Sequence, residues 1–175
     1  MTLDELGRPL RDLRVSVTDR CNFRCRYCMP REEFGKGHDF LPKNEILTYE
    51  EIRNFGKACN PLGLRKVRIT GGEPLLRQDI PHLVRHLSSM EMEVALTTNG
   101  SLLENNAANL AQSGLSRVTI SLDAIDQEVH SKITDSEVSV TDILDGISAA
   151  IRYELGPVKI NCVVQRGVNE HQIPQ

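Results

Sequence analysis

The sequence predicts an α/β fold, a partial (βα) barrel of about five parallel strands with helices outside and a polar lumen. Strand-like and helix-like segments alternate along the chain, which is typical of βαβ units. The predicted strands alternate apolar and polar residues, whereas buried parallel strands are usually apolar throughout. Because successive side chains on a strand point to opposite faces, helices would cover the apolar face, and the polar face would line a wet or ligand-filled lumen.

Start and stop signals place the helices. Thr48-Tyr49-Glu50-Glu51 has the form of a capping box and begins a helix that proline ends near Asn60-Pro61. Asp79 caps a helix that extends to about Ser88, with Pro81 in its tolerant first turn. The other predicted helices, each ended by a glycine, are 102–113 and 141–154.

Strands are predicted between the helices, and a long loop separates the first strand from the first helix. The strands are 13–17, 65–70, 93–97, 117–122 and 158–164. The loop, 18–42, carries three cysteines and is called the cysteine loop below. An open sheet with one solvated face is the alternative arrangement, but helical crossovers between the strands disfavour it.

Composition and charge exclude several classes of protein. The 175 residues suit one domain with a core, and a net charge of −3 does not indicate nucleic-acid binding. No apolar stretch approaches the roughly 18 residues of a membrane span, and we expect no signal peptide. Of the five cysteines, three are clustered, which indicates metal binding in a reducing cytoplasm. The isolated Cys59 and Cys162 are interpreted as small core residues.

The polar face of the predicted sheet carries cations with few acidic partners. Arg14, Arg68 and Lys159 point to this face, and Lys66 is a fourth candidate. Because buried charges need partners and Asp123 is the one clear acidic candidate, an anionic ligand such as a phosphate chain would satisfy the others. Arginine suits bidentate phosphate contacts. The alternative is that some of these side chains lie at strand ends and reach solvent.

The three cysteines of the loop have the spacing Cys21-x3-Cys25-x2-Cys28. A structural zinc site needs four ligands, typically in two separated pairs, and the nearest histidine, His38, lies in a glycine-bearing loop. Ferredoxin-type clusters need a fourth thiolate. Three thiolates would instead hold an iron–sulfur cluster in which one iron stays open to a further ligand.

The cysteine motif, with Tyr27 just before its last cysteine, resembles the signature of radical S-adenosylmethionine (SAM) enzymes. Gly71-Gly72-Glu73-Pro74 is similar to the turn with which that superfamily binds the methionine of SAM. Longer runs resemble one family within it, the GTP 3′,8-cyclases of molybdenum cofactor biosynthesis, and cover essentially the whole chain. These runs are 7–14, 16–25, 28–30, 40–43, 68–74, 97–100 and 121–124.

The resemblance implies a radical SAM barrel and a role for each motif. Cys21, Cys25 and Cys28 would ligate a [4Fe–4S] cluster, and SAM would bind the open iron. Cleavage of SAM would give a 5′-deoxyadenosyl radical that converts GTP to (8S)-3′,8-cyclo-7,8-dihydroguanosine 5′-triphosphate. The implied SAM contacts are Tyr27, Gly72 and Ser121. The implied GTP contacts are Arg14, Arg68, Thr97 and Lys159.

The resemblance also implies partners and a location. The electron donor would be a protein such as flavodoxin or ferredoxin, and cyclic pyranopterin monophosphate synthase would be the pathway partner. A homodimer is compatible with the family, whereas nucleic acid and membrane are not expected as partners. The cytoplasm is the expected location.

The chain departs from the family at its C-terminal end. The family has a second three-cysteine cluster and a tail ending in two glycines, and this sequence has neither. The chain ends at 171–175, where the next helix would begin, which would leave a strand edge unpaired. We therefore expect a single radical SAM core domain over 1–175, a fragment with its C-terminal units missing. A complete short protein with a reduced function is the alternative.

We expect such a chain to hold a cluster and cleave SAM slowly without cyclising GTP. Two alternative functions stay open from the sequence. One is a radical SAM enzyme that acts on another substrate, and the other is an inactive iron–sulfur-binding fragment.

Overall fold

Parallel strands form a single sheet in the computed structural model, which describes residues 3–173. The strands are β1 Asp12–Ser16, β2 Lys66–Thr70, β3 Glu93–Thr98, β4 Arg117–Ser121 and β5 Lys159–Asn161. Each strand pairs with the next one along the chain, in the order β1-β2-β3-β4-β5. This arrangement, with helices in every crossover, confirms the predicted fold class.

The four predicted helices are confirmed, and the structure adds a fifth, α4. The helices are α1 Tyr49–Cys59, α2 Ile80–Ser88, α3 Leu103–Gln112, α4 Gln127–Thr134 and α5 Val140–Arg152. α4 begins after Asp126, whose carboxylate accepts a hydrogen bond from the N–H of Val129 at 2.9 Å. Its eight residues bury few side chains, so it has no strong apolar period in the sequence. The 3₁₀ turns are Lys43–Glu45, Asn60–Leu62, Pro74–Leu76 and Glu170–Gln172.

The starts of α1 and α2 were each predicted from a capping residue, and the structure shows the capping hydrogen bonds only at α1. At α1 the hydroxyl of Thr48 accepts from the N–H of Glu51 (3.1 Å), and the carboxylate of Glu51 accepts from the N–H of Thr48 (2.7 Å). The capping box is therefore confirmed. At α2, Asp79 does precede the helix, but it adopts a left-handed conformation (φ 59°) and its side chain makes no capping hydrogen bond.

The strand registers place the predicted polar residues on one face of the sheet. Arg14 pairs with Arg68, and Thr97 and Lys159 both pair with Thr119. Arg68 pairs with Ala95 of β3, and Thr97 lies two residues after Ala95. Side chains two residues apart on a strand point to the same face, so Arg14, Arg68, Thr97 and Lys159 lie on one side of the sheet. The polar face is hereafter the face that carries these residues.

The opposite face is the core. Its central strand residues are fully buried: Val67, Ile69, Val94, Leu96, Val118 and Ile120. They form one cluster with the apolar stripes of the helices, including Leu83 and Leu87 of α2 and Leu103 and Leu110 of α3. Removal of these side chains from water supplies the main stabilisation of the sheet. Cys59 at the end of α1 is buried in the same cluster, as predicted.

The last strand is shorter and more exposed than predicted. β5 covers Lys159–Asn161, not 158–164, and within the described residues it pairs only with β4. Ile160, which was expected to face the helices, is 44% exposed. Cys162 is exposed, so its interpretation as a core residue is wrong. β5 has hydrogen-bonded pairing on one side only, and its residues are exposed, so neither a second strand nor a covering layer supports a longer strand here.

The chain after β5 forms a 3₁₀ turn, Glu170–Gln172, at the place where a helix was expected. Positions 174–175, also part of that expectation, lie outside the described residues. Between residues 3 and 173 the structure contains no helix with the length and apolar character needed to cross a membrane.

Candidate cofactor site

The cysteine loop is fastened to the end of α4. The N–H of Arg24 donates to the carbonyl of Thr134 (2.8 Å), and the N–H of Arg26 donates to the carbonyl of Ile133 (3.2 Å). These carbonyls lie in the last turn of α4, where a helix has no internal donors left for them. The ring of Phe23 is buried against the same helix. The helix that the sequence did not predict therefore supports the cysteine motif.

The three cysteines of the motif line one cavity of about 300 Å³. Cys28 is exposed, whereas Cys21 and Cys25 are partly buried. Gly71 and Gly72 of the turn after β2 line the same cavity. The structure thus brings together the three cysteines and the glycine turn for which the family resemblance implied a cluster and SAM.

The three thiols that line this cavity are the type of ligand that an iron–sulfur cluster takes. Among residues 3–173, no three His, Cys, Asp or Glu side chains come close enough together to hold one ion. Thiolates around a cube of iron and sulfide stand farther apart, because each binds a different iron. The N–H of Phe23 also donates to Sγ of Cys21 (3.4 Å). Hydrogen bonds of this kind to sulfur tune the potential of such clusters.

Burial keeps the inner thiols protonated in the absence of metal. It raises the pKa of Cys25 to about 12, and the charges of Cys21 and Asp123 add to this effect. Burial also raises the pKa of Cys21, although the N–H of Phe23 lowers it in part. Since the thiolate is the form that ligates metal, a metal that bound these thiols would displace their protons, and higher pH would favour its binding.

The turn after β2 runs so close to the cysteine loop that only glycine fits. The N–H of Gly72 donates to the carbonyl of Thr18, and the N–H of Glu73 donates to the carbonyl of Arg20, both at 2.8 Å. A Cβ atom on Gly72 would lie 2.3 Å from the carbonyl oxygen of Arg20. One on Gly71 would lie 2.6 Å from the carbonyl oxygen of Thr18. Close approach of two backbones therefore requires both glycines.

Glu73 ties this turn to the end of β3. Its carboxylate is fully buried and accepts hydrogen bonds from the N–H of Leu75 (3.0 Å), the hydroxyl of Thr98 (2.8 Å) and the N–H of Asn99 (2.7 Å). Burial raises the pKa of Glu73, and these hydrogen bonds partly oppose the rise. Because all of these donors are protein groups, the role that the geometry gives Glu73 is to hold the turn in place.

Polar side chains also join the cysteine loop to β3. Nδ2 of Asn99 donates to Oδ1 of Asn22 (2.9 Å), and Nδ2 of Asn22 donates to the hydroxyl of Ser101 (3.0 Å). That hydroxyl donates in turn to Oδ1 of Asn99 (2.7 Å). Sequence reasoning included both asparagines in motifs without assigning them a role. Their contact spans 77 positions and has no local signal in the sequence.

Tyr27 connects the cysteine loop to the segment after β4, two residues beyond Ser121 at the end of that strand. Its hydroxyl donates to Oδ2 of Asp123 at 2.6 Å, and burial and this bond raise the pKa of Tyr27. The expectation that Asp123 would pair with cations of the polar face is wrong. Among residues 3–173 it makes no salt bridge, and Oδ1 accepts from the N–H of Val163 (2.8 Å). Neutral donors therefore satisfy this buried carboxylate.

Three of the four cations predicted for the polar face have no acidic partner among residues 3–173. Arg14, Arg68 and Lys159 make no salt bridge in the described part of the chain. Arg14 and Lys159 are exposed and Arg68 is half-buried, since the sheet is open on this side. The hydroxyl of Thr97 is buried, and no residue from 3 to 173 forms a hydrogen bond with it. These groups can accept a ligand without breaking an existing contact.

A further cation, Arg117, was not predicted. Like Arg68 it pairs with Ala95, so it lies on the polar face. Nζ of Lys66 lies 3.2 Å from Oε1 of Glu93, and Arg117 contacts the same oxygen. Burial acts to raise the pKa of Glu93, but the hydrogen bond from Lys66 and the charge of Arg117 outweigh it and lower the pKa. Lys66 is therefore already paired, unlike the other predicted cations.

Comparison with known proteins identifies the family. Residues 15–175 match the profile of the Radical SAM superfamily. The chain belongs to the radical SAM superfamily. A relative named GTP 3′,8-cyclase from Acidothermus cellulolyticus is 51% identical over 174 residues, covering 98% of this chain and 48% of the relative. One of the same name from Staphylococcus epidermidis is 51% identical over 172 residues, covering 97% and 50%. The chain spans about half the length of these curated relatives.

Solved structures share the fold of this radical SAM chain. Streptococcus suis SuiB has a TM-score of 0.71 and 22% identity, covering 94% of this chain and 35% of SuiB. Methylornithine synthase (PylB) has a TM-score of 0.69 and 16% identity, covering 92% and 46%. SuiB has also been solved bound to S-adenosylmethionine. Membership of the superfamily implies a [4Fe–4S] cluster and SAM as cofactors, and the cavity shared by three thiols and two glycines fits them.

Proposed function

We propose that this chain is the N-terminal, radical-generating part of a GTP 3′,8-cyclase, a single radical SAM core domain over 1–175. The observation that carries the proposal is the cavity that Cys21, Cys25 and Cys28 share with Gly72, beside a sheet with unpaired cations on its polar face. The proposal is supported by the 51% sequence identity between this chain and each of two relatives named GTP 3′,8-cyclase. The site follows the carboxyl ends of β1 and β2, where (βα) barrels carry their active sites.

The residues proposed for the cofactors are Cys21, Cys25 and Cys28 for the [4Fe–4S] cluster and Tyr27, Gly72 and Ser121 for SAM. When bound, these cofactors supply one-electron cleavage of a sulfonium and hence a radical able to abstract hydrogen. The chain itself orients them and excludes water. The missing side chain of Gly72 keeps the turn out of the cavity, while Phe23, Met29 and Phe34 give it apolar walls.

We assign GTP to the polar face. Arg14, Arg68 and Lys159 offer positive charge to a triphosphate, and arginine can bind two phosphate oxygens at once. The buried hydroxyl of Thr97, which lacks a partner among residues 3–173, would gain one from the ligand. The other half of the enzyme would complete the substrate site. We therefore expect this chain to cleave SAM slowly and to leave GTP uncyclised.

The proposed function needs an external source of electrons, and radical SAM enzymes in general require a reductant. Flavodoxin or ferredoxin is the proposed donor, and cyclic pyranopterin monophosphate synthase is the proposed pathway partner. A homodimer is the proposed assembly. All five cysteines are free, and free thiols fit the reducing cytoplasm that we propose as the location.

Anaerobic reconstitution with iron and sulfide, followed by dithionite and SAM, tests this function. We expect 5′-deoxyadenosine from the wild-type chain. Cys28→Ser removes an exposed cysteine of the motif and should abolish it, while Cys162→Ser removes an exposed cysteine outside the motif and should not. Equal product from both variants would contradict the assignment of the motif.

Substrate is tested in the same reaction by adding GTP and assaying for the cyclised nucleotide. We expect none from the isolated chain, and cyclisation once the chain is extended to the length of its relatives. Substantial cyclisation by the chain alone would refute the need for the second half. If the extended protein converts other nucleotides or peptides in the radical reaction but does not convert GTP, the substrate assignment is wrong.

A further inference from the structure

Two histidines outside the cofactor site converge on the surface of α2. His82 and His86 lie one helical turn apart, and their Nε2 atoms are 2.9 Å from each other. The ring centroids lie 4.3 Å apart with the planes at 83°. Leu83 and Leu87 turn the other side of the helix into the core, which leaves the histidine side open to solvent. The proposed function uses neither histidine.

The distance between the two nitrogens matches a particular coordination geometry. Zinc and related ions bind imidazole nitrogen at about 2.05 Å. Two nitrogens 2.9 Å apart then subtend about 90° at a shared ion. A tetrahedral ion would need a separation of about 3.3 Å at the same bond length. The observed separation therefore suits adjacent positions of a square-planar, tetragonal or octahedral ion, the geometry of Cu²⁺ and Ni²⁺.

We propose that His82 and His86 form a two-imidazole site for a divalent transition-metal ion of this class, Ni²⁺ or Cu²⁺. In this contact one Nε2 carries a proton and the other accepts it, and either ring can be the donor, depending on its tautomer. Moving that proton to Nδ1 of the same ring frees both Nε2 lone pairs, so two neutral rings bind the ion without net proton release. Water fills the remaining positions, because within residues 3–173 no third His, Cys, Asp or Glu completes the site.

The groove beside His82 leaves room for water around the ion. His82 lines a surface groove of about 570 Å³ together with Asp79, Arg85 and Asn109. Asp79 offers a negative charge for the second shell of water, and Arg85 offers an opposing positive one. The site is thus near neutral apart from its ion. Its affinity comes from the two nitrogens that the helix holds in place, since the second binds as an intramolecular ligand.

Titration of the full chain with NiCl₂ in a buffer without imidazole tests the proposal. Asn in place of either histidine removes one arm of the chelate, so His82→Asn and His86→Asn should each lower the Ni²⁺ affinity at least about tenfold. His171→Asn removes an exposed histidine outside α2 and should leave the affinity unchanged. All variants keep the same cysteines, so binding of Ni²⁺ by thiols is common to every sample.

Unchanged Ni²⁺ affinity in a folded His82→Asn or His86→Asn chain would overturn the site, as would an equal loss in His171→Asn. Far-UV circular dichroism establishes folding. X-ray absorption at the nickel edge of the wild-type chain needs no variant, and it should count two imidazole ligands. Fewer than two would also overturn the proposal. None of these outcomes bears on SAM cleavage, so the site and the proposed function are tested separately.

Discussion

The hydroxyl of Tyr27 donates a 2.6 Å hydrogen bond to the buried carboxylate of Asp123. This bond joins the middle of the cysteine motif to the segment after β4. The motif is also attached to α4 through Arg24, to β3 through Asn22, and to the turn after β2 through Arg20. The thiols are therefore positioned by contacts from several elements before any metal binds, as a preorganised site requires.

Tyr27→Phe removes the hydroxyl and leaves one oxygen of Asp123 without that donor. We expect the free energy of unfolding to fall by about 1–3 kcal/mol, since a buried acceptor loses its partner. Urea unfolding of the metal-free chain measures this. Tyr153→Phe is the control, because Tyr153 is exposed and lies outside the cysteine loop, so removal of its hydroxyl should change little. Equal effects of the two substitutions would show that the bond to Asp123 does not hold the loop.

The raised pKa of Tyr49 leads us to expect a loss of folding stability at alkaline pH. Burial, together with the charge of Asp79, raises its pKa from about 10 to about 12, although Arg77 acts in the other direction. The folded chain thus keeps the phenol neutral at a pH where the unfolded chain loses the proton. Stability that is present below pH 10 should fall as the pH rises from 10 to 12. Urea unfolding of wild type and Tyr49→Phe over this range should show a steeper fall for the wild type, and parallel curves would contradict the assignment.

Gly72→Ala tests the close approach of the turn to the cysteine loop. The added Cβ would meet the carbonyl oxygen of Arg20 at 2.3 Å, so one of the two backbones has to move. We expect less iron per chain after anaerobic reconstitution and a lower free energy of unfolding, by about 1–3 kcal/mol. Gly37→Ala, in the cysteine loop but with no heavy atom within 4 Å of the new Cβ, should have neither effect.

Arg68→Gln tests the anion site on the polar face. Arg68 has no salt bridge in the described chain, so its charge is available to a triphosphate. Loss of a charge-assisted hydrogen bond should weaken GTP binding by roughly tenfold, and rising salt should reduce the difference from wild type. Equilibrium dialysis with labelled GTP measures both. Arg152→Gln, an exposed arginine of α5, is the control and should bind GTP as the wild type does.

The alternation of residues in the strands was sufficient to predict the sheet and its faces. Val67 and Ile69 alternate with Arg68, and the registers confirm that Arg14, Arg68, Thr97 and Lys159 share a face. This worked because the side-chain period of a strand is two, whichever strand lies beside it. The cysteine spacing and the glycine turn could likewise be recognised locally, because each motif occupies a few consecutive residues.

What the sequence did not predict depends on distant contacts. Asp123 carries a charge, so it was expected to pair with a cation, but Tyr27 reaches it across 96 positions. α4 makes backbone hydrogen bonds to Arg24 and Arg26 of the cysteine loop, and its own sequence pattern does not indicate them. Cys162 looked like a core residue because its strand was expected to be covered. Exposure of Ile160 shows that the cover is absent among residues 3–173.

The central claim, that Cys21, Cys25 and Cys28 hold a [4Fe–4S] cluster, is tested most directly by counting iron, acid-labile sulfide and zinc in the anaerobically prepared chain. The account predicts about four irons and four sulfides per chain, with little zinc. Bound zinc without sulfide would contradict it.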